Sequence, residues 1–117
     1  MTPTALSSLA AHAGRRLHPD GASGPYPFGR GVPVACLKAV YLVCDWGGRC
    51  LYVGSTVVGV RARVAQHAAD YRRTLTWCSV YVVPLRDDTS NSEVRRIEGR
   101  IGVDACPLQN KALPRIA

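Results

Sequence analysis

A handful of residues in this chain have side chains that could act on a phosphate or hold a metal. Tyr41 and Tyr52 lie in short apolar runs on either side of Asp45-Trp46-Gly47-Gly48. Two such runs around a turn-forming stretch read as a β-hairpin. With Cys44 set opposite Arg49 across that turn, counting back along the ladder brings Tyr41 opposite Tyr52. Opposed side chains share a face, with Cβ atoms about 5 Å apart, so the two phenols project together. Gly54, further along the second strand, leaves room for another group to approach the backbone. Arg63 and His67 stand four apart and share one face of a predicted helix. Glu98 has Val94 four residues before it and Ile101 three after, so it borders the buried face of a second helix. A carboxylate at such a border needs a partner or a metal. Asn110 follows Pro107 in the tail.

Each feature also has a plainer reading. The tyrosines could merely stabilise the hairpin, Arg63 and His67 could lie on a solvated basic face, Glu98 could pair with Arg95, and Asn110 could simply make a turn.

The elements that must position these residues follow from periodicity. Thr4 to Leu17 reads as a short helix, and the Pro/Gly-dense stretch to Gly31 as loop or linker. Cys36 to Cys44 and Arg49 to Gly54 read as two strands, and Trp77 to Pro84 as a third. Val58 to Arg72 reads as a helix with Val60, Val64, Ala68 and Tyr71 along one stripe. Arg86 to Asn91 is a polar loop, and Ser90-Asn91-Ser92-Glu93 opens a last helix with a capping box. Val94, Ile97 and Ile101 form its apolar face, and Cys106-Pro107 ends it. The expected order is β-β-α-β-α, an α+β domain with a small three-stranded antiparallel sheet flanked by helices. Residues 1–35 read as a helix and linker extension that contributes little to the chemistry, and residues 36–117 as the working domain.

Composition narrows the class of partner. The net charge is +7, carried by thirteen Arg and two Lys against eight acids. The guanidinium fork suits phosphate, so an Arg-rich basic chain points to nucleic acid, although a coding bias towards Arg would produce the same excess. Arg61, Arg63, Arg72, Arg73 and Arg95 are the candidate phosphate contacts. The five cysteines, Cys36, Cys44, Cys50, Cys78 and Cys106, include no C-x-x-C pair. They read as reduced thiols rather than a zinc site. With no apolar run of membrane length and no signal peptide at the N-terminus, the expectation is a cytoplasmic protein without membrane contact.

Taken in order, Ala39-Val40-Tyr41, Tyr52-Val53-Gly54, Arg63-x-x-x-His67, Glu98, Pro107 and Asn110 resemble the GIY-YIG nuclease family. The resemblance spans roughly residues 38–112 and includes Ser55-Thr56 after the glycine. Ala39 stands where the family's name-giving glycine is expected, and Val40 and Val53 replace isoleucine. A slightly long Gly54 to Arg63 segment leaves Arg61 and Arg63 as alternative catalytic arginines, with His67 in register for Arg63.

The resemblance implies a metal-dependent endonuclease acting on DNA. Tyr52 would activate the attacking water, and Tyr41 and His67 would orient it or relay its proton. An arginine would grip the phosphate, and Asn110 would brace the site. A phenol ordinarily titrates near ~10, so positive charge nearby must lower it before it acts as a base. Glu98 would hold one divalent ion, Mg²⁺ or Mn²⁺. The acids also favour a single ion, since Asp87-Asp88 falls in a loop and Glu93 caps a helix. Duplex, single-stranded and branched DNA all remain open as substrates, and a protein partner or homodimer could supply specificity. The rival readings are a nucleic-acid-binding module without turnover and a regulatory or structural partner protein.

Overall fold

All six residues of the strand Ala39–Cys44 are buried, so this strand is central and covered on both faces. The computed structural model of the chain describes residues 1–68 and 75–109. Helix α1 (Pro3–Ala10) runs into a 3-10 segment (Ala11–Arg16). Strands β1 (Ser23–Pro27), β2 (Ala39–Cys44) and β3 (Cys50–Thr56) follow, then α2 (Val60–Ala68), β4 (Ser79–Pro84) and α3 (Asn91–Ala105). The strands form one antiparallel sheet in the order β1-β4-β2-β3. The fold is therefore α+β, and no helix among the described residues is long and apolar enough to cross a membrane.

The sheet has four strands, not the three expected. The extra strand, β1, lies within the stretch read as loop or linker. Pro25 and Pro27 can sit there because β1 is an edge strand, where a missing N–H costs no ladder bond on the open side. Residues 1–35 are thus part of the core. Thr2 caps α1 by accepting from the Ala5 N–H at 3.0 Å, and Leu6, Leu9 and Ala10 are buried. Arg16 Nε donates to Glu93 of α3 at 2.9 Å, and the His18 N–H donates to the Pro84 carbonyl at 2.9 Å.

Two apolar layers sandwich the sheet. On one side α1 and α3 pack Leu6, Leu9, Val94, Ile97 and Ile101 against Val40, Leu42, Val53 and Val83. On the other, Val60 and Val64 of α2 join Val32 and Trp77 over Ala39, Tyr41, Val43, Val80 and Val82. The capping box at the start of α3 is formed, with Ser90 Oγ accepting from the Glu93 N–H at 3.2 Å.

The hairpin register differs from the expectation. Tyr41 is opposite Gly54, and Tyr52 is opposite Val43. The turn is one residue longer, because the Asp45 carboxylate accepts from the Gly47 and Arg49 N–H groups at 2.9 and 3.0 Å, and Gly48 takes a left-handed φ of 81°. Asp45 therefore faces Arg49, the pattern of a three-residue turn closed by a left-handed glycine. A bulge then inserts Leu51 between the Cys44–Cys50 and Val43–Tyr52 pairs. The two offsets add to a slip of two. Side chains alternate with period two, so both tyrosines stay on one face.

Candidate active site

Tyr41, fully buried in β2, points into the α2 layer. Its phenol oxygen lies 2.8 Å from Nε2 of the buried His67 on α2. Its ring fills the space over Gly54, where a Cβ would come within 2.5 Å of Tyr41 Oη and 2.9 Å of Tyr52 Cε1. Tyr52 lies diagonally across the pair, with its ring centroid 6.2 Å from that of Tyr41 and 5.1 Å from that of His67. It is half-buried, so solvent reaches it while Tyr41 is sealed.

Arg63, one turn before His67, is close enough to act on the Tyr41 phenol, and its Nη1 donates to Gln66 Oε1 at 2.8 Å. Burial, with the neighbouring Tyr52 phenol, pushes the Tyr41 hydroxyl far above its ordinary value, and Arg63 offsets only part of this. Tyr41 is therefore a neutral hydrogen-bonding group, not a base.

Helix α3 packs its apolar face on the layer opposite the tyrosines, yet Glu98 stands near enough for its charge to act on Tyr41. The carboxylate sits alongside edge strand β3, near enough for Ser55 and the charge of Arg63 to act on it. Burial pushes the Glu98 carboxyl above the usual carboxylate range, against the effect of Ser55 and the charges of Arg95 and Arg63. Among the described residues no three His, Cys, Asp or Glu side chains cluster. A cation here would have Glu98 as its carboxylate ligand and take its remaining ligands from the Ser55 hydroxyl, water and substrate oxygens, a set that suits a hydrated Mg²⁺.

The two candidate arginines separate cleanly. Arg61 is committed to the loop before β2, donating to the carbonyls of Val32 at 3.0 Å and Pro33 at 2.9 Å, so its contribution is to hold that loop. Arg63 is the one beside Tyr41. Arg95 is exposed on α3, with its charge acting on Glu98. Arg72, Arg73 and Asn110 lie outside the described residues.

Trp77 escaped the sequence reading. Its ring is 5.2 Å from Tyr52 and 5.1 Å from His67, and its Nε1 donates to Gln109 Oε1 at 2.6 Å. In the sequence it only opens an apolar run, with no local signal that its ring closes the aromatic cluster. Ser55 has no sequence signal beyond its place after Gly54.

Comparison with protein-family models, with curated proteins and with solved structures finds no match for this chain. The family resemblance therefore rests on the residues themselves.

Proposed function

We propose that this chain is a metal-dependent endonuclease of the GIY-YIG kind that hydrolyses DNA phosphodiester bonds. The observation that carries the reading is Arg63, whose charge acts on both Tyr41 and Glu98. A guanidinium between a phenol–imidazole pair and a carboxylate suits a phosphate whose charge must be neutralised during attack.

Arg63 grips the scissile phosphate. Tyr52, the solvent-reachable phenol, takes the proton of the attacking water. Tyr41 stays protonated and, with His67 2.8 Å away, fixes the orientation of the cluster. Glu98, with Ser55 beside it, holds one Mg²⁺ or Mn²⁺, which when bound supplies charge neutralisation and makes a coordinated water more acidic. Asn110 braces the site. Arg72, Arg73 and Arg95 supply further phosphate contacts, and a protein partner or second copy supplies specificity. The protein works in the cytoplasm with its thiols reduced.

The test is a cleavage panel of single-stranded, duplex, branched and RNA substrates with Mg²⁺ or Mn²⁺, with binding measured in parallel. The expected result is metal-dependent cleavage of DNA that Glu98→Ala and Tyr52→Phe each reduce about 100-fold or more without loss of fold or DNA binding. Binding without turnover on every substrate would make the chain a nucleic-acid-binding module. Wild-type cleavage by Glu98→Ala would overturn the metal assignment.

A further inference from the structure

Five cysteines are present and none is cross-linked, yet two occupy the geometry of a disulfide. Cys44 closes β2 and Cys50 opens β3, and they are direct partners across the antiparallel pair. Such partners have Cα atoms about 4.5–5.5 Å apart, inside the roughly 4.4–6.8 Å span that disulfides adopt. Both side chains enter the same core layer, so their Cβ atoms lean to one side. We propose that Cys44 and Cys50 form a reversible oxidation site, a dithiol that small peroxides convert to an intramolecular disulfide.

Three further observations support this. The proximity of the two thiols holds Cys44 below the ordinary thiol value and, with burial, pushes Cys50 up. Of the two, Cys44 is therefore the readier to form the nucleophilic thiolate. Cys50 lines an open cavity of about 350 Å³ with Leu9, Gly48 and Ala105, wide enough for hydrogen peroxide to reach an otherwise buried pair. The nearest competitor, Cys78, is tied to Cys44 only through its backbone, its N–H donating to the Cys44 carbonyl at 2.9 Å. The residue opposite Cys44 on β4 is Ser79, so alternation turns Cys78 to the other face.

The chemistry balances with peroxide as the oxidant. The thiolate attacks one peroxide oxygen, the O–O bond breaks, and the departing hydroxide takes up a proton to become water. The resulting sulfenic acid is attacked by the second sulphur, which gives up its proton as a second water leaves. Two thiols lose two electrons, and the peroxide gains them. The site lies at the foot of the bulge that turns Tyr52 towards His67, and Cys50 Sγ also donates to the Tyr52 carbonyl at 3.8 Å. Oxidation would therefore stiffen the strand that carries Tyr52.

The test needs no nuclease activity. The full chain is treated with hydrogen peroxide, its remaining thiols are alkylated after unfolding, and it is digested with trypsin without reduction. Cleavage after Arg49 separates the two cysteines into peptides 39–49 and 50–61. The expected result is a linked pair of these peptides, lost on dithiothreitol treatment, in the wild type and in Cys36→Ser/Cys78→Ser/Cys106→Ser. The triple variant removes every alternative partner, and the wild-type digest decides alone if that variant does not fold. Separate peptides with both cysteines alkylated, or linkage of either to Cys36, Cys78 or Cys106, would overturn the proposal.

Discussion

Tyr41 and Gly54 face one another across the β2–β3 pair, and the Tyr41 ring occupies the space that a side chain at position 54 would need. The close approach brings the phenol within 2.8 Å of His67, because Tyr41 can lie flat over bare backbone. Gly54→Ala puts a methyl group into that ring and cannot be relieved by the flexible end of a side chain. The expected cost is about 1–3 kcal/mol of stability, seen as a lowered Tm, with a fall in cleavage larger than any fall in DNA affinity. A variant as stable and active as the wild type would mean that the Tyr41–His67 contact does not matter.

Arg61 and Arg63 sit two residues apart but should fail in different ways. Arg61→Ala frees the Val32 and Pro33 carbonyls, with an expected cost of about 0.5–1.5 kcal/mol per lost bond and residual cleavage in the protein that remains folded. Arg63→Ala should change stability by no more than about 1 kcal/mol while lowering cleavage about 100-fold or more. Thermal melts and single-turnover rates on the same preparations separate the two, and an exchanged pattern would reverse the assignment.

Glu98 should make both stability and cation binding depend on pH. Its carboxyl is raised in the folded chain, so the native state holds that proton to a higher pH than the unfolded state does. Stability from this residue is greatest below the ordinary carboxylate value of about 4.3 and falls as pH rises through the raised native value. Glu98→Gln should remove that slope in denaturant melts. Cation and proton compete for the same oxygens, so the acid limb of cleavage should move to lower pH as Mg²⁺ is raised. An acid limb that ignores Mg²⁺ would count against Glu98 as the ligand.

DNA binding should be mainly electrostatic, given the net charge of +7. Log affinity should fall linearly with log salt, each phosphate contact contributing about 0.9 to the slope on duplex DNA. Arg95→Ala, on the exposed face of α3, should lower that slope by about one contact. Binding that is indifferent to salt would remove the basis for reading the arginines as phosphate contacts.

What the sequence determined by itself is what depends on near neighbours along the chain. The two strand-like runs either side of Asp45–Gly48 marked the hairpin, and Tyr41 and Tyr52 stayed on one face because the ladder slipped by an even number of residues. The spacing of Arg63 and His67 put them on one side of a helix, and Ser90 with Glu93 marked where α3 begins. Tertiary structure decided the rest, because those outcomes depend on groups distant in sequence or on turn geometry that a residue count does not carry. The Asp45 carboxylate and the Leu51 bulge slipped the ladder by two. The return of the N-terminal segment made Ser23–Pro27 a strand by offering it the open edge of β4. The side of the sheet on which α3 packs set where Glu98 stands, because an amphipathic helix announces that it has a buried face but not which layer will cover it. Trp77 joined the site for the same reason, since only the packed fold brings its ring against Tyr52 and His67.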